Sequence, residues 1–179
     1  MTSSSRAKLP TTGLNNPADL PLASVAPAAV PRGSRLLAWL PTLLWLCVLA
    51  WFSTDQFSAD HTGVILRKII RAVYGTISHH RFEQIHFLVR KSAHFGGYGL
   101  LSLFAFYSWR GTLRALARWT WRWCALALTT ALLAASLDEF HQTFVSSRTG
   151  SWHDVVLDLT GAVFFQALIA LFTTHRSKK

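Results

Sequence analysis

The chain of 179 residues is long enough for one domain, and 51% of its residues are hydrophobic, which excludes disorder over most of its length. Lys and Arg outnumber Asp and Glu by 18 to 8, a formal net charge of +10. These basic residues flank apolar blocks instead of lining one soluble face, so we expect no nucleic-acid partner.

Residues 1–35 form the first distinct segment. They are rich in Ser, Thr, Pro and Ala and show no apolar periodicity. A segment of this composition cannot bury enough apolar surface to offset the entropy cost of ordering the chain. We therefore predict a disordered cytoplasmic tail, followed by one transmembrane domain over residues 36–175.

Four apolar blocks follow this tail. Each approaches the ~20 residues that a helix needs to cross a hydrocarbon core of ~30 Å. Helices of a soluble bundle would carry a polar stripe, and the first and third blocks have almost no polar residues beyond Ser and Thr. We predict an all-α integral membrane bundle of four transmembrane helices, because the blocks also lack the alternation of barrel strands. The blocks cover residues 36–53, 92–109, 119–137 and 155–172.

The long loop between the first two blocks has a pattern of its own. Within residues 62–77, Ile65, Ile69 and Val73 recur at four-residue spacing. This spacing puts three apolar side chains on one face of a helix. We predict a short amphipathic helix that lies on the membrane surface, with an ordinary loop helix as the alternative.

The distribution of basic residues predicts the orientation. The N-terminal tail, the second loop and the C-terminal tail together hold 11 of the 18 Lys and Arg residues. The first loop holds six and the third loop holds one, and these oppose the trend. The positive-inside rule therefore predicts that both termini and the second loop are cytoplasmic.

Charged and polar residues mark the start of the second predicted helix. Lys91, His94 and Tyr98 are spaced i, i+3 and i+7, so they share one helical face, and Arg90 precedes His94 by four residues.

Acidic residues mark the end of the third helix and the start of the fourth. Four of the eight acidic residues fall between positions 138 and 158. In a chain with four spans, these two ends lie on the same side of the membrane as the start of the second helix. We therefore expect one polar site at one membrane face. Its residues from these two ends are Asp138, Glu139, His141, Gln142, Asp154 and Asp158.

Plainer structural roles compete with a functional site. Ser151 and Asp154 form a Ser-x-x-Asp pattern, so Asp154 could cap the fourth helix. Asp158 lies about one turn inside the span, where an unpaired carboxylate is unfavourable by a few kcal/mol. We expect it to have a partner, and the candidates are Arg148, Lys91 and His94.

The ordered set of motifs resembles the VanZ-like family. It runs from Arg-Lys-x-x-His-Phe-x-x-Tyr through Asp-Glu-Phe-His-Gln to Asp-x-x-x-Asp-x-x-Gly. The resemblance implies a four-helix protein of the bacterial cytoplasmic membrane, related to sensitivity to the glycopeptide antibiotic teicoplanin, in a family whose biochemical activity is generally unassigned. The chain departs from the family pattern at Gly97, Ser146, Ser147 and Phe165. The site residues that the resemblance implies are Arg90, Lys91, His94, Tyr98, Asp138, Glu139, Gln142, Arg148, Asp154, Asp158 and Gly161.

This composition suits an anionic headgroup at the membrane surface. Arg90, Lys91 and Arg148 could neutralise a phosphate. His94 could act as a general acid or nucleophile, with a neighbouring carboxylate that orients it or activates water. The carboxylates considered for that role are Asp138 and Glu139, and the residues predicted to bind the substrate are Arg90, Lys91, Tyr98, Gln142, Arg148, Asp154 and Asp158.

Three hypotheses follow for the site. The first is an enzyme or binding protein for a phosphate-bearing lipid or lipid-linked envelope precursor. The second is a non-enzymatic membrane protein whose charged cluster is a structural or partner-binding network of ion pairs. The third is a metal site formed by Asp138, His141 and Asp154, which we disfavour because nearby Lys and Arg would repel the ion. The sequence assigns no metal ligand and does not identify a cofactor.

Overall fold

The computed structural model describes residues 32–113, 120–145 and 150–175. These residues are helical apart from short connections, with no strand in the described ranges, so the all-α prediction is confirmed. A single 3₁₀ turn, Asp55–Phe57, precedes the second helix. Residues 1–31 of the predicted tail lie outside the described residues. The first helix begins at Arg32, four residues before the predicted start of the transmembrane domain at residue 36. The helices are α1 Arg32–Phe52, α2 Ala59–Tyr74, α3 His79–Thr112, α4 Trp121–Gln142 and α5 Trp152–His175.

Helix α3 lies at the centre of a bundle and packs against α1, α4 and α5. Two contacts show that α3 runs parallel to α5. Lys91 pairs with Asp154 near the start of α5, and further along both helices Ser102 accepts a hydrogen bond from Gln166. Helices α1 and α4 run in the opposite direction to α3. The end of α1, the first half of α3, the end of α4 and the start of α5 therefore meet at one end of the bundle.

Within the described ranges, three helices are long and apolar enough to cross a membrane: Arg35–Phe52, Trp121–Gln142 and Trp152–Thr173. The prediction of membrane-spanning helices is thus confirmed for three of the four blocks. The remaining block, 92–109, forms the second half of the 34-residue helix α3.

The lower hydropathy of α3 has a structural reason. Within the block 92–109, other helices surround α3, so the polar side chains of Tyr98, Ser102 and Ser108 are buried and make hydrogen bonds inside the bundle. Ser102 is fully buried against Gln166, and Ser108 lies 2.8 Å from the hydroxyl of Thr42 in α1. A helix enclosed in this way needs fewer apolar side chains than one that faces lipid.

Helix α2 confirms the amphipathic helix predicted in the first loop. Ile65, Ile69 and Val73 lie on one face and are each more than half exposed. The helix ends at Tyr74, because Gly75 adopts a φ of 77° that breaks the helical backbone. Contact of this exposed face with a membrane stays a prediction.

Small residues allow α3 and α5 to approach closely. A Cβ atom at Gly161 would lie 2.9 Å from the carbonyl carbon of Phe95, which belongs to the backbone and cannot rotate away. Gly99 of α3 faces the ring of Phe165 in the same interface. Gly96 differs, because a Cβ there would meet nothing within 4 Å. Close helix approach is thus the role of Gly161 and Gly99, and not of Gly96.

We predict that Gly161→Ala destabilises the bundle. The added methyl group forces α3 and α5 apart, and overpacking of this kind costs about 1–3 kcal/mol. Thermal unfolding in detergent measures the effect, with Gly96→Ala as the matched control in a helix interior with free space. Equal melting temperatures for the two variants would contradict the close approach of α5 to α3.

Candidate functional site

The candidate site lies where α3, α4 and α5 converge at one end of the bundle. Side chains predicted from three separate sequence segments meet here, as expected from the order of the helices. The predicted residues that the structure joins through direct contacts are Lys91, His94, Tyr98, Asp138, Gln142, Asp154 and Asp158.

Asp158 is the most enclosed charged residue of this cluster. Its exposed fraction is 0%, and its two carboxylate oxygens lie 3.2 and 3.4 Å from Nδ1 of His94. Of the two candidate partners that the structure describes, Lys91 and His94, it is His94 that contacts Asp158. This contact satisfies the carboxylate and fixes the orientation of the imidazole ring.

Lys91 and Asp154 form an ion pair one helical turn nearer the end of the bundle. Both side chains are partly exposed, at 30% and 19%, so water screens part of their attraction. Asp154 also lies in the first turn of α5, where a negative charge interacts favourably with the helix dipole. The pair thus links α3 to α5 and supplements the capping role considered from the sequence.

Asp138 has a different set of partners from the one expected. The hydroxyl of Tyr98 donates a 2.9 Å hydrogen bond to Oδ2 of Asp138, and Nε2 of Gln142 donates to the same oxygen at 3.2 Å. These bonds join α3 to α4. We expected Asp138 or Glu139 to orient His94. In the structure, the carboxylate that contacts the imidazole of His94 is that of Asp158.

Glu139 is buried, with an exposed fraction of 5%, and joins α4 to the start of α5. Its Oε2 accepts a 2.7 Å hydrogen bond from the backbone N–H of Ser151. Its other oxygen, Oε1, is buried and has no hydrogen-bond partner among the described residues. The carboxylate also lies within 4.8 Å of ligand atoms of both His94 and Asp158. Among the residues that the structure describes, these three groups could together hold a metal ion.

A cavity of about 250 Å³ opens beside the cluster. One part of its wall is polar and contains Arg90, His94, Tyr98, Asp138 and Gln142. The other part is apolar and comes from the end of α1, the following turn, α2 and α3. Its apolar residues are Leu49, Phe52, Phe57, Leu66, Val89 and Ala93.

Sequence reasoning missed this apolar wall and His86. His86 is buried, lines the cavity, and its Nε2 lies 3.2 Å from the hydroxyl of Thr62 in α2. No local motif marks these residues, since their proximity depends on how α2 packs against α3.

Two predicted members of the cluster are not placed in it. His141 is exposed, so the metal set of Asp138, His141 and Asp154 is not assembled. Arg148 lies outside the described residues. Arg90 lines the cavity, but it makes no hydrogen bond or ion pair within the part of the chain that the structure describes.

We predict energetic coupling between Asp158 and His94. Asp158→Asn and His94→Gln should each destabilise the protein, and the double variant should lose less than the sum, with a coupling of about 0.5–3 kcal/mol. Unfolding in detergent provides the measurement. Lys91→Met is the control partner, because Lys91 contacts Asp154 and not Asp158. Additive effects for both pairs would contradict the contact.

Comparisons with known proteins agree with this architecture. The sequence matches the family model described as VanZ/LLP1 over residues 38–173, which include every site residue named above and all of the bundle except the start of α1 and the last two residues of α5. A search of curated proteins and a search of solved structures each gave no match. Because the match extends over three quarters of its length, this chain belongs to the VanZ/LLP1 family.

Proposed function

We propose that this membrane protein binds a lipid with a phosphate-bearing headgroup in the cavity between α1, α2, α3 and the end of α4. The observation that carries the proposal is the two-part wall of the cavity, with Arg90 and His94 on the polar side and Leu49, Phe52 and Leu66 on the apolar side. A lipid has the same division between a polar headgroup and an apolar chain. A small polar metabolite would leave the apolar wall in contact with water.

Arg90 is the residue best placed to bind the phosphate. Its guanidinium has no anionic partner among the described residues, whereas Lys91 is already paired with Asp154. Guanidinium groups bind phosphate through two parallel hydrogen bonds, which is stronger and more directional than contact with a single ammonium. His94 and Tyr98 line the same wall and add polar contacts beside it.

A purely structural ion-pair network is the competing function class. It accounts for Lys91 with Asp154 and for His94 with Asp158, since both pairs hold α3 against α5. It does not account for an arginine that lines a cavity without a carboxylate partner. Arg90 therefore separates the two hypotheses experimentally.

We also propose that α3 crosses the membrane as a fourth span. Three helices of the bundle qualify as spans, and α3 is aligned with them and enclosed by them. Its 34 residues extend about 51 Å at ~1.5 Å per residue, more than the hydrocarbon core requires. The domain would then occupy residues 36–175 of a multi-pass protein in the bacterial cytoplasmic membrane.

With both termini in the cytoplasm, the site would face the outer side of that membrane. Lipid-linked envelope precursors are present on this side during cell-wall assembly. Binding of such a precursor would connect the site to the altered teicoplanin sensitivity that the family resemblance implies.

We predict that Arg90→Gln weakens binding of a polyprenyl phosphate by about tenfold or more, because a hydrogen bond to a charged group contributes about 1.5–3 kcal/mol. Native mass spectrometry of the purified protein measures binding, with phosphatidylcholine as the neutral comparison lipid. Arg81→Gln is the control, because Arg81 is exposed on the same helix and does not line the cavity. Equal affinities of wild type and Arg90→Gln would favour the structural network.

The same samples test whether the lipid is also processed. Release of inorganic phosphate by the wild type, reduced about 10²-fold or more in His94→Gln, would extend the function to catalysis, since that is the usual contribution of a general acid or base. Binding without release would define a binding protein. Both variants must elute and unfold like the wild type for the comparison to hold.

We predict that reporter fusions after Ser147 and Ser177 report opposite sides of the membrane. The Ser177 fusion should be cytoplasmic, because 11 of 18 basic residues lie in the three segments assigned to that side. The Ser147 fusion should be external. A cytoplasmic signal from the Ser147 fusion would contradict the predicted orientation. The same signal from both fusions would contradict a membrane crossing by α5 between Ser147 and Ser177.

A further inference from the structure

We infer that His94, Glu139 and Asp158 form a binding site for a divalent transition-metal ion such as Zn²⁺ or Mn²⁺. The site combines one imidazole with two carboxylates, a mixture of nitrogen and oxygen ligands that suits these ions better than Ca²⁺ or Mg²⁺. Each ligand comes from a different helix, α3, α4 and α5. The inference does not require lipid binding, because only His94 of the three ligands lines the cavity.

The spacing of the three groups fits one ion. One ligand atom from each residue lies within 4.8 Å of the other two. Ligand atoms about 2.1 Å from a tetrahedral ion lie roughly 3.4 Å apart. The Nδ1 atom of His94 and the Oδ1 atom of Asp158 already have this spacing, at 3.2 Å. The carboxylate of Glu139 has to approach by at most about 1.4 Å to complete the set.

The unpartnered oxygen of Glu139 is an independent indication of a ligand. Glu139 is 5% exposed, and its Oε2 is held by the backbone N–H of Ser151 while Oε1 has no hydrogen-bond partner. A buried charged oxygen without a partner is unfavourable by about 1–3 kcal/mol or more. A metal ion would satisfy this oxygen without breaking the bond to Ser151.

The charge of the cluster also favours a cation. Its described residues include four carboxylates, from Asp138, Glu139, Asp154 and Asp158, and two permanently positive side chains. One of these, Lys91, is neutralised by its ion pair with Asp154. The other, Arg90, lines the cavity, and neither Glu139 nor Asp158 contributes to the wall of that cavity. The repulsion between a metal ion and nearby Lys and Arg side chains, for which we disfavoured a metal site from the sequence, is therefore reduced at His94, Glu139 and Asp158.

Three protein ligands leave coordination positions on the ion for water or another ligand. His94 belongs both to this set and to the polar wall of the cavity, so the ion would lie next to the lipid headgroup site. A cation there would also hold α3, α4 and α5 together, because it replaces pairwise contacts with one shared centre.

The test uses the full-length protein in detergent, with any affinity tag removed, stripped with EDTA and titrated with ZnCl₂ or MnCl₂. We expect one ion per chain by elemental analysis after gel filtration, and a rise in the melting temperature on addition of metal. Glu139→Gln should weaken metal affinity at least tenfold and abolish that rise. This variant preserves the size of the side chain and an acceptor for Ser151.

Glu83→Gln is the matched control, because Glu83 is exposed and lies close to His79, another place where an ion could bind adventitiously. The control should keep the affinity of the wild type. His94→Gln provides a second variant and should show the same loss as Glu139→Gln. The inference is overturned if the wild type retains no metal, if Glu139→Gln and His94→Gln bind it as tightly as the wild type, or if Glu83→Gln alone removes it.

Discussion

A carboxylate buried between membrane-type helices constrains the whole arrangement. Asp158 has no exposed surface, and it lies inside one of the three helices that qualify as spans. An isolated charge in such a place is strongly unfavourable, so α5 can pack only where another helix supplies a partner. His94 of α3 meets that requirement. The parallel register of α3 and α5 follows from this contact as much as from apolar packing.

The approach of the two helices makes this contact possible. At Gly161, three residues after Asp158, the backbone of α5 passes so close to Phe95 that a methyl group would overlap it. Small residues have this role generally in membranes, where lipid tails compete with side chains for apolar contacts and close packing must supply the association energy. The same approach explains why α3 tolerates buried serines and glycines. Its polar groups are satisfied by α1 and α5 instead of facing lipid.

The cluster contains two kinds of polar residue. Some are committed to one another, as with Tyr98 and Asp138, and these contacts hold the helix ends in place. Others keep unused binding capacity, notably Arg90 at the cavity and one oxygen of Glu139. A structural network would be expected to use such groups. Their availability in a cluster whose other described members are paired is why we propose lipid binding at Arg90 and cation binding at Glu139.

Sequence alone determined the helical class, three of the four predicted membrane-spanning helices, the amphipathic α2 and the family, because these depend on local composition, periodicity and motif order. It also predicted that helix ends bearing Lys91, Asp138 and Asp154 would meet, since chain direction alternates between spans. Only the tertiary structure decided which groups are partners. Side chains such as His94 and Asp158 lie 64 positions apart in the chain, and their contact depends on helix rotation and on the approach at Gly161. The apolar wall of the cavity and the unpartnered oxygen of Glu139 likewise arise only from packing, which no local pattern encodes.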